Sequence, residues 1–259
     1  MGAIEFYRKP ALKSSLMVAA WPGISNVALK AASYLKDRLR AEEFGNIKPF
    51  DFFSPAGVLI QDNIVRAPEF PESKFYYWKN KARGNDIIIF IGEAQPVLSQ
   101  YEFASLVLDV AQRFKVARIY TFAAAIVPHR SEKPVVWAAA TDASLIEELK
   151  RYDVILRGDY HIRGLNGLLL GVAKERGIPG ICLLGETLQH FAEMENPRAS
   201  LTVLKVLIEM LGIDVDLGEL EEQASDADEE MERIAKETMT QYIDHFTRPI
   251  WEREEEENE

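Results

Sequence analysis

A single cysteine, Cys182, stands among 259 residues, so the chain cannot close an internal disulfide and reads as a protein of a reducing, cytoplasmic compartment. Its 4 histidines, His129, His161, His190 and His245, have no neighbours at ligand spacing. Without cysteine or histidine pairs a zinc site is not expected, and neither is a cofactor. No run approaches the roughly 18 apolar residues that a membrane-crossing helix needs. The apolar stretch Leu16–Ala20 follows Arg8, Lys9 and Lys13, yet it is shorter than the h-region of about 7–15 residues in a secretory signal, and it reads as a first buried strand. Also missing are a serine or cysteine in a strand-to-helix elbow, the dinucleotide fingerprint and the phosphate loop with its lysine.

What is present suits a globular protein. Hydrophobic residues make up 47% and charged residues 27%, enough for a sizeable core. Charge is unevenly placed. Residues 214–259 hold 18 acidic and 4 basic side chains, a net of -14 within a total of -11, which leaves the preceding 213 residues at +3. An acidic tail of this kind repels nucleic acid and anionic lipid, so neither partner is expected.

Continuous apolar runs at residues 16–20, 87–91, 119–122, 135–139 and 178–184 have the character of strands buried on both faces. Between them, residues 27–39, 101–114, 144–151, 165–176 and 197–211 repeat apolar positions at helical spacing, and Pro197 suits a first helical turn. Alternation of this kind predicts a mainly parallel sheet in a three-layer α/β/α domain over residues 1–213. Residues 44–78, with Pro49, Pro55, Pro68 and Pro71, fit edge strands or a hairpin. After Ile213 an apolar stripe through Leu217, Leu220, Ala224, Met231, Ile234, Tyr242 and Phe246 predicts one or two amphipathic helices, docked on the body or on a neighbouring subunit. Residues 252–259 are expected to be a solvated acidic end without fixed structure.

In an open α/β sheet ligands bind beyond the carboxyl ends of the strands. Trp21 and Asn26, Glu93 and Gln95, and Glu186 follow three such strands, so they fit either one shared cleft or helix caps and loop backbone. Residues 157–167 combine Arg157, Asp159, His161 and Arg163 with Gly164, Asn166 and Gly167. Glycines that open a helix fit a helix packed closely on the sheet, or an anion-binding turn. Asp159 and His161 have no nucleophile beside them in the sequence, and Cys182 within a strand is of the inert kind, so no catalytic residue is assigned. The aromatic run Phe75, Tyr76, Tyr77 and Trp78 and the stripe positions Met231, Ile234, Tyr242 and Phe246 are the candidates for an oligomer or partner surface.

Three segments resemble one family. Residues 20–28, AWPGISNVA, are similar to the GWPDAGNVA opening of the proteasome-assembly-chaperone-2 family, with Ala20 in place of Gly and Gly23-Ile24-Ser25 in place of Asp-Ala-Gly. DIIIFIGEAQP at 86–96 resembles its central strand and loop, and GLNGLLLGVAKERGIPGICLLGET at 164–187 its signature segment. The resemblance implies a phosphorylase/hydrolase-like α/β fold with a mixed sheet, a helical C-terminal extension and homo-oligomers. It further implies an ATP-independent, non-enzymatic chaperone that binds protein partners such as proteasome subunits. Relatives dock through a hydrophobic-Tyr-any tripeptide. Glu257-Asn258-Glu259 does not match it, and that mode of docking is not expected here. The fold relation also leaves open a small-molecule or anion site, or a hydrolase- or phosphorylase-like activity, in the strand-end cleft.

Overall fold

A computed structural model describes residues 3–55, 57–82, 84–129, 131 and 133–247. Its framework is one sheet of nine strands: β1 (Ile4–Phe6), β2 (Leu16–Ala20), β3 (Glu42–Ile47), β6 (Ser73–Trp78), β7 (Ile87–Gly92), β8 (Ile119–Val127), β9 (Val136–Ala140), β10 (Val154–Ile155) and β11 (Gly180–Leu188). Their spatial order is β1-β3-β6-β7-β2-β8-β11-β9-β10. The four central strands β7, β2, β8 and β11 run parallel. The sheet is nonetheless mixed rather than mainly parallel, because β1, β3 and β6 add to β7 as an antiparallel meander and β9 lies antiparallel to β11.

Helices cover both faces. Against one lie α1 (Val27–Arg38), α3 (Ala143–Leu149) and α5 (Pro197–Leu211), whose core takes in Val18, Ile89, Phe122 and Leu183. Against the other lie α2 (Gln100–Arg113) and α4 (Leu165–Glu175), closing over Met17, Ile88, Phe90 and Ile119. Alternate residues of one strand thus enter opposite cores, and every residue of β2 and β7 is buried. Local chemistry fixes the helix ends. Asn196 accepts from the Ala199 N–H at 2.9 Å ahead of Pro197, and Gly212 closes α5 with φ +59°. The Asp142 carboxylate accepts from the Ser144 and Leu145 N–H groups at the start of α3.

Two strands outrun their sequence signal. Residues 119–122 and 178–184 suggest short strands, whereas β8 continues through Ala123, Ala124 and Ala125 to Val127 and β11 through Glu186 to Leu188. Alanine favours strands little, but nine-residue pairing in register from Ile119↔Gly180 to Val127↔Leu188 carries both chains on. Residues 75–78 are not an edge strand: β6 lies between β3 and β7, and Phe75 is fully buried. The hairpin anticipated in residues 44–78 falls instead at β4 (Ile60–Gln61) and β5 (Ile64–Val65), with Asp62 and Asn63 both at positive φ as a type I′ turn requires.

The last helix, α6 (Gly218–Thr247), packs on α5 through the buried side chains of Leu220, Ala224 and Met231, with an Arg198–Asp228 ion pair at 2.9 Å across the contact. Thirty residues make a rod about 45 Å long. Exposure grows along it, and Met239 is 67% exposed. The acidic end expected at residues 252–259 lies outside the described residues.

Candidate partner-binding cleft

Where β2 ends, the chain is stitched to α4. The Trp21 N–H donates to Asn166 Oδ1 at 3.0 Å, and Asn166 Nδ2 donates to the Trp21 carbonyl at 3.1 Å. Gln95, just past β7, donates through Nε2 to the Pro22 carbonyl at 2.6 Å, and its Oε1 accepts from the Leu165 N–H at 2.8 Å. One asparagine and one glutamine thereby satisfy the backbone of a strand end and the first turn of α4. The glycines follow from the same closeness. Gly164 has φ +75°, and a Cβ there would lie 2.6 Å from Gln95 Oε1; at Gly167 it would lie 2.1 Å from the Ile162 carbonyl oxygen. Gly167 thus packs closely on Ile162 in the loop ahead of α4 rather than on the sheet.

Beside this stitch a cleft of about 960 Å³ opens at the carboxyl ends of the central strands. One wall is Gly23, Ile24 and Ala28, the other the loop of residues 157–164, and the base is Ala123, Ala124, Ala125, Trp137 and Leu184. Gln95, Asp159, His161, Arg163, Gly164 and Asn166 line it as a group. The Arg157 guanidinium sits over the Trp137 ring at 5.9 Å, and the Tyr160 hydroxyl donates to the Ala138 carbonyl at 3.1 Å, so the loop is tied to β9. Under the base, burial pushes the Cys182 thiol up to about 12, which keeps it protonated and unreactive near neutrality.

The other strand-end residues do not converge on this cleft. Trp21 is buried against Phe90, ring centroids 5.0 Å apart. Asn26 donates to Glu195 at 2.8 Å, and that bond, with Lys30 at 3.2 Å, holds the Glu195 carboxyl below its ordinary range; the pair belongs to a separate hollow beside Glu193. Glu93 turns back to accept from the Glu72 N–H at 2.8 Å. Glu186 lies within β11 rather than after it, accepts from Trp137 Nε1 at 3.4 Å, and faces a smaller hollow of about 250 Å³ between β11, α5 and α6. Gly167 packs on Ile162. Ala123–Val127 and Trp137 were not singled out from sequence; the signal was the run FAAAIV continuing a strand.

Among the surface candidates, Phe75 is a core residue whose ring centroid lies 4.7 Å from that of Phe90. Tyr76, Tyr77 and Trp78 are half-buried, with Tyr77 donating to Glu42 at 2.9 Å and Lys36 lying 5.3 Å from the Tyr76 ring centroid. Met231 is buried against the body and Ile234 is half-buried. Tyr242 and Phe246 fall in the part of α6 whose side chains lie outside the described residues. The exposed apolar side chains lie elsewhere, notably Val58, Leu59, Ile60, Ile64 and Val65 around the β4–β5 hairpin. Among the described residues no group of three His, Cys, Asp or Glu could hold a metal, and no helix is long and apolar enough to cross a membrane.

A mixed nine-stranded sheet between helical layers, with an added C-terminal helix, defines a three-layer α/β/α protein. The pattern that defines the PAC2 family matches residues 17–235, and the chain belongs to that family. It is 32% identical to PbaB of Pyrococcus furiosus, whose crystal structure is that of an archaeal proteasome activator; the match covers 90% of this chain and 98% of that one, with a TM-score of 0.77. P. furiosus PbaA, an archaeal homolog of proteasome-assembly chaperone, shares the fold at 24% identity and a TM-score of 0.69, over 92% of this chain and 99% of that one. In sequence the chain is 29% identical to protein MJ1210 of Methanocaldococcus jannaschii over 87% of its own length and 84% of that protein's.

Proposed function

We propose that this chain is a non-enzymatic, cytoplasmic, homo-oligomeric chaperone-like protein that binds proteasome subunits. The similarity to the proteasome activator PbaB, which spans nearly the whole of both chains, carries the reading. The exposed apolar hairpin supports it, because five large aliphatic residues around one short ribbon suit contact with protein better than contact with water. In this reading residues 1–213 form the partner-binding body. Residues 214–259 form an acidic extension that keeps the assembly soluble or meets a basic surface.

The test is affinity capture of the tagged full-length chain from its native lysate, followed by native mass spectrometry. Proteasome α or β subunits at fixed stoichiometry with a multimer of this chain are the expected result. A monomer, or a homo-oligomer recovered repeatedly without any proteasome subunit, would overturn the corresponding part of the proposal.

A further inference from the structure

We infer that the open edge of β8 at residues 123–127 takes an extended, acidic segment of a partner protein as an added strand. On its β11 side β8 is paired along all nine residues. On its β2 side the pairing stops at Ala19↔Thr121, because β2 ends at Ala20 and the chain turns away through Pro22. In a parallel strand the N–H and C=O groups of alternate residues point to opposite sides. About half of the backbone groups from Ala123 to Val127 therefore face this edge. Among the described residues, no backbone bond outside the ladders reaches them.

The cleft reaches that edge and continues over the sheet face, where Leu184 of β11 and Trp137 of β9 line it. It is lined by all of residues 123–127 in succession, although neighbouring side chains of a strand point to opposite faces. A groove lying over one face alone would meet every second residue, whereas a groove that reaches the backbone edge meets each of them. Three successive alanines leave that backbone approachable. From Phe122 to Val127 there is no proline, lysine or glutamate of the kind that ordinarily blunts a free strand edge. The open edge is about 17 Å long, the reach of five strand residues.

Charge selects the occupant. Arg157, His161 and Arg163 stand exposed on the rim with Asp159 as the one carboxylate in the lining, and neither arginine has a carboxylate partner among the described residues. This cationic rim belongs to a chain of net charge -11. Main-chain pairing along β8 would supply affinity without regard to sequence, and the rim would favour acidic side chains and speed their approach. A small anion would use the arginines but leave the strand edge unfilled. The inference deepens the partner-binding reading and rests on it. Its test uses only the purified chain and synthetic peptides, so it fails separately from the capture experiment.

Three fluorescein-labelled octapeptides are titrated against the full-length chain by anisotropy: alternating Val and Glu, alternating Val and Lys, and the Val–Glu peptide with alternate backbone amides N-methylated. The Val–Glu peptide is expected to bind, and both others more weakly by about tenfold or more. Amide exchange at residues 123–127 should slow on binding. Arg163→Glu, at an exposed position, should weaken the acidic peptide severalfold with an unchanged melting temperature. Absence of Val–Glu binding, equal binding of the N-methylated peptide, or displacement by inorganic phosphate without protection of residues 123–127 would each overturn the inference.

Discussion

Asn166 does for Trp21 what a neighbouring strand would otherwise do, offering one acceptor and one donor to a buried backbone. Asn166→Ala leaves both backbone groups without partners and should cost about 2–6 kcal/mol, at 1–3 kcal/mol for each buried group, read as a fall in the urea midpoint at unchanged slope. Asn166→Asp keeps the acceptor and loses the donor, so it should be destabilising too, and a wild-type midpoint in either variant would remove the stitch from the account. A second residue-scale prediction concerns pH. Arg118 grips Glu148 with two bonds of 2.6 and 2.8 Å, which holds the Glu148 carboxyl below the usual carboxylate range. A depressed folded-state value means that this stabilisation is complete above the unfolded value, about 4.3, and is lost as pH falls through the folded value. Glu148→Gln should therefore lower stability by roughly 1 kcal/mol near neutrality, and the gap should close in acid; a gap constant with pH would assign it to packing alone. At this scale the sequence was legible in part. Gln95 was read as a strand-end residue and Gly164 and Asn166 as part of a separate segment, and the fold brings the three together; a glycine-rich turn reads the same whether it faces an anion or a neighbouring side chain. The partner of Asn166, 145 residues away, carries no local signal.

Elements were easier to read than their surroundings. Strands such as β2 and β7 announce themselves by unbroken apolar runs because both faces are covered, and α5 was bounded at Pro197 and Leu211 by proline and glycine. The prolines around β6 point to an edge, yet they fall in the loops that lead to it, and β3 pairs along its outer side. The β4–β5 hairpin falls within the segment read as edge strands or a hairpin, and the fold leaves Ile60, Ile64 and Val65 each 63% exposed. If these residues join subunits, Ile60→Lys with Val65→Lys should lower the mass seen by light scattering to that of a smaller species. Unfolding of the released subunit should change by less than about 0.5 kcal/mol, as befits surface positions. An unchanged mass would clear the hairpin of this role.

The whole molecule is divided along its sheet in a way that follows the sequence. The strands β1, β3, β6, β7 and β2, all from residues 4–92, lie on one side, and β8, β11, β9 and β10, from residues 119–188, on the other. They meet where β2 joins β8 over three residue pairs, Met17↔Ile119 to Ala19↔Thr121. Helices cover this seam on both faces, so its amides should exchange as slowly as those of β7 and β11, through global unfolding alone. Faster exchange at Met17–Ala19 would show the halves parting. The mixed sheet was not recoverable from alternating helices and strands alone, since direction depends on how the loops return and not on the apolar pattern.

The same division has a consequence during synthesis. When residues 4–92 have left the ribosome they can already form five neighbouring strands, yet the inner edge of β2 remains open until residues 119–121 emerge, and Trp21 is not capped until Asn166 follows. At about 5–20 residues per second, the nascent chain carries an uncovered apolar strand for several seconds. A protein proposed to attend the assembly of others thus passes through an interval in which its own central strand is an aggregation-prone edge, closed by its second half.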